Sequence, residues 1–485
     1  MRKSIFTLAA TLFVSSIMFA QFRPTDKTGI NVFETPKTDV PFDGVKVTIG
    51  GAFTQSYQTL NHSNARSNDA AVETSIVVNP TLTVPVKNYE HQRFVAGVDQ
   101  NILVPLVPGF NLASANLMLK TQLADGVALN MELYLASRHH NETWVKGGFI
   151  QFDKLPFLKM DFVDNIMQYT TIKVGQMEVN YGDAHFRRSD GGNAIYNPFV
   201  ENYIMDEFAT EVGAEVDFQY NGLVAVGGIT TGKLNSNIVA GIPVDSASDG
   251  IHKPAFLAKL GYDKQINEDL RVRLTGSVYY TAGSLGQTLF GGDRTGSHYY
   301  GVMDYAAPGT GNAFSGRVNP GLSDKVTTLM GNLFVKFHGL EWFSTLEKAQ
   351  GKAKDEKTAE RGATQLASDL VYRFGKNENF WVGVRYNTLN ATLAKTNRVA
   401  GVAASAVTAT QLDPHKGETT LVAALTPSYD VAVNRLALSA GWFVTKNVMT
   451  KLEYVNQNYD YASAPLSILN GGNFKGFVLE AVVGF

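Results

Sequence analysis

The segment NFKGFVLEAVVGF, Asn473 to Phe485, decides the fold. Phe477, Leu479, Ala481, Val483 and Phe485 fall on one face, and Gly476, Val478, Glu480 and Gly484 on the other. Successive side chains on extended backbone point to opposite sides, so this two-residue period predicts a strand with one apolar and one small or charged face. The pattern recurs along the chain. Val45, Val47, Ile49 and Phe53 oppose Lys46, Thr48, Thr54 and Ser56. Leu117 and Leu119 lead through Asp125-Gly126 into Val127, Leu129, Met131, Leu133 and Leu135, whose alternate face carries Asn130, Glu132 and Tyr134. Val212, Ala214, Val216, Phe218 and Tyr220 alternate with Glu211, Gly213, Glu215, Asp217 and Gln219, and Leu270, Val272 and Leu274 alternate with Arg271, Arg273 and Thr275.

Glu211, Glu215 and Asp217 share one strand face, and three carboxylates cannot sit in the dry middle of a sandwich. A closed barrel, apolar outside and wet inside, accommodates them. Comparable segments at 114–123, 144–152, 171–180, 223–231, 255–263, 327–337, 340–348, 364–374, 380–387, 435–443 and 448–456 bring the count to about sixteen. The predicted fold is all-β: a transmembrane antiparallel up-and-down β-barrel over residues 45–485. An even strand number puts both ends of the barrel on one rim.

Connection lengths agree with that topology. Asp125-Gly126, Asn221-Gly222, Gln265 to Asp269, His338-Gly339, Lys376 to Asn379 and Thr445 to Asn447 are short, with 153–170 the exception. The connections on the other rim, 61–112, 181–209, 232–253, 282–325, 349–362, 388–432 and 458–472, are mostly long. Short periplasmic turns and long extracellular loops are the barrel asymmetry. Tyr220, Tyr262, Phe337, Trp342, Phe374, Phe380 and Trp442 stand beside the short turns, as an interfacial girdle would.

Arg2 and Lys3 precede the apolar run Ile5 to Phe19, which ends at Ala20 before the polar Gln21, so 1–20 reads as a signal peptide cleaved after Ala20. Residues 21–44 form a polar, proline-containing lead-in, expected to be a periplasmic arm or partial plug. Beyond the leader no apolar run reaches the roughly 20 residues of a membrane helix. The chain has no cysteine, which excludes disulfides and a lipid-modified cysteine. Removing Arg2 and Lys3 leaves 44 acidic against 40 basic residues, a balance that argues against a nucleic-acid partner.

The richest loop reads Tyr181-Gly182-Asp183-Ala184-His185-Phe186-Arg187-Arg188-Ser189-Asp190 and continues through Asn197-Pro198-Phe199 to Asp206-Glu207-Phe208. It follows the fifth strand. This arrangement resembles sixteen-stranded bacterial outer-membrane porins, in which the third long loop folds into the barrel and narrows it. Lys173-Val174-Gly175-Gln176 is similar to the phosphate-selective porin group, and such barrels are common in Bacteroidota. The resemblance implies a passive pore for small hydrophilic solutes and ions, a possible homotrimer, contact with the bilayer and lipopolysaccharide, and insertion directed by a terminal-strand signal ending at Phe485.

Asp183, Arg187, Arg188, Asp190, Asp206 and Glu207 are the candidate constriction, with a second reading as salt-bridged scaffolding that pins the loop. The candidate pore wall is Glu211, Glu215, Asp217, Arg271, Arg273, Arg373 and Arg385, a mixed set that suggests weak selectivity through a transverse field. Arg138-His139-His140-Asn141-Glu142 tempts a metal assignment, but neighbouring strand side chains diverge, so no metal or other cofactor is expected. No nucleophile signature accompanies the histidines, so an enzyme is not expected. A non-conducting barrel that docks surface lipoproteins or a secretion system stays open as the alternative. A plugged transporter of hydrophobic substrates is disfavoured, because the mature start lacks a long apolar hatch.

Overall fold

The computed structural model describes residues 23–37, 41–79, 82–95, 98–135, 143–234, 238, 250–293, 295–306, 315–354, 356, 360–394, 410–412, 419–421 and 428–485. The leader 1–20 and the Arg138 to Glu142 cluster lie outside them.

Sixteen long strands close on themselves. In chain order they are β1 Lys46–Ser63, β2 Ser114–Ala124, β3 Val127–Leu135, β4 Trp144–Phe152, β5 Thr170–Glu178, β6 Thr210–Tyr220, β7 Leu223–Thr230 and β8 Ala255–Gln265. The second half comprises β9 Leu270–Thr281, β10 Lys325–Phe337, β11 Leu340–Lys352, β12 Arg361–Phe374, β13 Phe380–Ala394, β14 Ser428–Phe443, β15 Val448–Asp460 and β16 Asn473–Gly484. Each pairs antiparallel with its neighbours, and β1 meets β16 in register from Ala52 opposite Gly484 to Ser63 opposite Asn473. Closure removes sheet edges, which in hydrocarbon would each leave backbone groups unpaired at a cost of several kcal/mol. The terminal residue joins the seam. Phe485 exchanges backbone hydrogen bonds with Gly51, and its ring covers that glycine so closely that a Cβ there would lie 2.8 Å from Phe485 Cζ.

The turns on one rim are tight. Asn221 and Gly222 both have positive φ, 47° and 90°, the left-handed pair that matches a two-residue hairpin to strand twist. The long 153–169 connection contains a 3-10 turn at Pro156–Leu158 and a short helix at Asp161–Met167. On the opposite rim the first loop carries its own hairpin, Val72–Asn79 with Leu82–Asn88.

Several strands reach farther toward the extracellular side than their apolar alternation does. β11 to β15 extend to Lys352, Arg361, Ala394, Ser428 and Asp460, and there the outward side chains are Gln350, Asn390, Asp430 and Asn458, exposed or partly so. Once the strands leave the hydrocarbon, both faces are polar and the period vanishes from the sequence while the ladder continues. The connection expected at 349–362 therefore shrinks to 353–360.

The outer surface is apolar. Leu260, Leu274, Leu329, Leu346, Leu438 and Leu479 are exposed along it, and all seven predicted girdle aromatics face outward. Part of the girdle is a continuous stack: Tyr372 on Phe374 at 5.9 Å, Phe374 on Phe380 at 5.8 Å and Phe380 on Trp442 at 5.9 Å, with near-parallel rings. Inside, the third loop (179–209) and the fifth (282–324) fold into the bore and bring apolar side chains with them. Tyr181, Val200, Ile204, Met205, Leu289 and Tyr299 pack with wall residues such as Tyr279 and Val433 into a dry cluster.

Candidate constriction and bore

The third loop leaves β5 and is knotted to the wall at Asp183. Arg273 on β9 donates to both carboxylate oxygens, Nε at 2.8 Å and Nη2 at 2.7 Å, and Thr275 Oγ1 donates at 2.6 Å. Lys259 on β8 adds an ion pair at 3.3 Å, and Asn332 on β10 accepts from the Asp183 amide at 2.9 Å. Asp183 is fully buried, its side chain 1 % accessible.

The rest of the loop is fastened along β10–β16. Arg187 lies between the rings of Phe334 and Phe343, 5.4 and 4.9 Å from their centroids, and 3.4 Å from Glu341. Burial lowers its pKa, and Glu341 and Asp369 offset part of that loss. Arg188 donates to both oxygens of Asp206, at 3.1 and 2.8 Å, and stacks on Phe208. Burial works against the Arg188 charge, but Asp206 and Asp293 raise its pKa overall. Arg317 of the fifth loop bridges Asp206 and Glu201, each at 2.9 Å. Burial alone would raise the Glu201 carboxyl, yet Arg317, His298 and Arg435 pull its pKa down to about 2. Glu207 stands apart: burial, then the neighbouring Glu347 and Asp206, push its pKa well above the usual carboxylate range.

The wall completes the attachment. Arg385 chelates Asp369 with two 2.7 Å bonds and donates to the Glu201 carbonyl, while Arg373 donates to Glu341 at 2.8 Å. Arg435 and Lys451 donate to backbone carbonyls of Asn202 and Phe199 in the loop. The fifth loop docks through His298, whose Nδ1 lies 2.7 Å from Glu480 of β16. Burial disfavours the imidazolium there, and the Glu480 and Glu201 carboxylates raise its pKa above the ordinary value nonetheless.

A second insert lies across the periplasmic mouth. The lead-in, 23–37, crosses it from the last strands to β5 and β6. At one end Lys27 N donates to the Lys446 carbonyl, Asp26 pairs with Lys446 at 3.2 Å, and Thr25 Oγ1 donates to Phe485 O. In the middle Asn31 donates to Glu341 at 2.6 Å, and Glu34 pairs with Arg273 at 2.8 Å and Lys259 at 3.1 Å. At the far end the Thr35 carbonyl accepts from Gln219, and Lys37 donates to the Thr170 carbonyl. Phe33 is the wedge. It packs edge-on against Phe186 of the third loop and Phe334 of the wall, at 5.7 and 5.4 Å, under the Arg273 guanidinium.

All six residues expected at the constriction thus lie within the bore, but they are buried and most of their charge is committed to partners. The expected wet wall differs in the same way. Glu211, Glu215, Asp217, Arg273, Arg373 and Arg385 are buried, and only Arg271, at the mouth beside Asp263, keeps appreciable exposure, 26 % of its side chain. The physical reason is that two loops and the lead-in occupy the space that strand faces alone leave open.

Accessible charge lines β3–β5, and on the opposite wall Lys336 of β10, at the periplasmic end, is accessible as well. The Glu132, Lys173 and Glu178 side chains are 22 %, 23 % and 32 % accessible, against 5 % or less for Glu341, Asp369, Arg373, Arg385, Lys451 and Glu480 opposite. Lys120 and Asn130 continue this strip toward the periplasm, both part-exposed. Lys146 and Asp190 border it as an ion pair, with Glu132 3.1 Å from Lys146. Lys173 sits 2.8 and 2.6 Å from Glu215 and Asp217, and Glu178 3.5 Å from His185. Sequence reasoning passed over Glu178 and Lys146 and singled out Lys173 only within a porin-like segment, not as pore wall, because nothing in a strand's alternation tells which part of the wall an inserted loop will cover.

No family model matches the chain and no curated protein matches it. Solved structures similar to it include the outer-membrane expressed OmpT of Vibrio cholerae, 10% identical over 92% of this chain and 100% of that one, with a TM-score of 0.44. The anion-selective porin from Comamonas acidovorans is 9% identical over 91% of this chain and all of that one, TM-score 0.43. The outer membrane channel DcaP of Acinetobacter baumannii is 10% identical over 91% and 98% of the two chains, TM-score 0.43. At that distance the likeness says nothing of solute, selectivity or assembly.

Proposed function

We propose that this chain is an outer-membrane porin that passes small hydrophilic solutes and ions along a narrow strip beside β2–β5, with weak, mixed-charge selectivity. The observation that carries this reading is the contrast between Glu132, Lys173 and Glu178, which keep accessible surface along β3–β5, and Asp369, Arg385, Lys451 and Glu480, which are buried where they hold the third and fifth loops. Glu132, Lys173 and Glu178, with the buried Lys146 behind them, place both signs along the strip, which favours dipolar, hydrated solutes and penalises apolar ones. Asp183, Arg187, Arg188 and Asp206 set the constriction indirectly, by fixing where the loop lies, while Asp190 borders the strip with Lys146. Arg273, Arg373 and Arg385 serve the same fastening role from the wall, while Glu211 is held within it by Thr230 and Tyr279. Cleavage after Ala20 would leave the new N-terminus close to Arg23, inside the periplasmic mouth, with residues 23–37 as a partial plug. Phe485, on the closing seam, is suited to act as the insertion signal.

Reversal potentials in a salt gradient test the path. Glu178→Lys is expected to move the reversal potential toward anion preference, and an unchanged value would remove the strip as the route. Arg187→Gln with Arg188→Gln is expected to leave the reversal potential in place while loosening the loop. A shift toward cations would instead put those arginines on the path.

A further inference from the structure

The 153–169 connection is the one periplasmic turn that is not tight. Phe157, Leu158, Met160, Phe162, Ile166 and Tyr169 are all exposed, Phe162 at 70 % and Phe157 at 63 %. A polar linker would span the same gap without presenting six large apolar side chains to water. The segment is fastened at both ends: Met167 is buried, Gln219 N donates to the Tyr169 carbonyl at 2.9 Å, and Asp153 N donates to the Gly126 carbonyl at 2.7 Å. Its far end merges with the lipid-facing girdle, since the Tyr169 ring meets Tyr220 edge-on at 4.9 Å and Phe218 at 6.2 Å.

We propose that residues 153–169 form a membrane-surface anchor that lies on the periplasmic leaflet, with Phe157, Leu158, Met160, Phe162 and Ile166 inserted among phospholipid chains. Continuity with the girdle at Tyr169 and Tyr220 places the apolar face on the bilayer side of the rim. The exposed Lys159 beside it suits lipid phosphate, and the exposed Asp161, Asp164 and Asn165 supply the wet face an interfacial element needs. This anchoring is independent of whether the bore conducts.

The absence of cysteine makes the test clean. Phe162→Cys in the full chain, labelled with an environment-sensitive fluorophore and inserted in phosphatidylethanolamine–phosphatidylglycerol vesicles, is expected to emit blue-shifted light. Spin-labelled phospholipid should quench it and aqueous iodide should not, while a label at His338→Cys on a tight turn should behave oppositely. In a Phe157→Asp variant with Phe162→Asp, a label at Ile166→Cys is expected to become iodide-accessible. Iodide quenching at Phe162→Cys in verified inserted protein would overturn the proposal. So would shielding that develops only as the protein-to-lipid ratio rises, which would assign the face to a second copy of the chain.

Discussion

Deleting residues 24–37 is expected to raise the unitary conductance severalfold and to shorten closed periods. The lead-in crosses the periplasmic mouth, and its Phe33 fills the space between the third loop and β10. Its charges are not bystanders: Glu34 shares Lys259 and Arg273 with Asp183, so the lead-in and the third loop are tied to the same two cations. Removing the segment opens the mouth directly and loosens the loop behind it. Phe33→Ala with Glu34→Gln is the milder variant if the deletion fails to insert, and it should give the same change at smaller amplitude. An inserted deletion variant that conducts as the intact chain does would show that residues 23–37 do not occlude the path.

Asp183→Ala is expected to cost about 3–5 kcal/mol of barrel stability, because it leaves Arg273 and Lys259 buried with Glu34 and Asp263 as their remaining acidic partners. A buried pair can be worth little in net terms, yet breaking one side of it is expensive, since the orphaned charge keeps its desolvation penalty. Arg273, Thr275 and Lys259 also lose the contacts that position the loop entrance, so conductance noise should increase alongside. Asp183→Asn keeps the shape and one acceptor and should lose less. Urea titration of the heat-modifiable folded band checks both. A midpoint for Asp183→Ala unchanged from the native chain would mean the knot is not what holds the third loop.

The barrel itself was readable because its lipid side is simple. Val212, Val216 and Leu274 must face hydrocarbon, and Glu215, Asp217 and Arg273 must not, so the two-residue period locates every wall strand. Strand ends were less legible: at Asn390, Asp430 and Asn458 both faces have left the hydrocarbon, and polarity no longer distinguishes a ladder from a loop. The third loop's place after the fifth strand, through its resemblance to porins, pointed to the bore, and Asp183, Arg187, Arg188 and Asp206 do lie there. Their partners were not legible, because Arg188 finds Asp206 within the loop while Arg187 reaches Glu341, some 150 residues away in the chain. Which wall the loop covers depends on that pairing, and so does the location of the accessible strip.

Single-channel recording of the purified full chain in planar phospholipid bilayers tests the central claim most directly. The account predicts stable ohmic steps, smaller than an unobstructed sixteen-stranded bore would give and with little preference between cation and anion. A bilayer that stays silent after insertion has been verified by protease protection and heat-modifiability would contradict it, and would leave a barrel whose charged interior serves only to hold its loops.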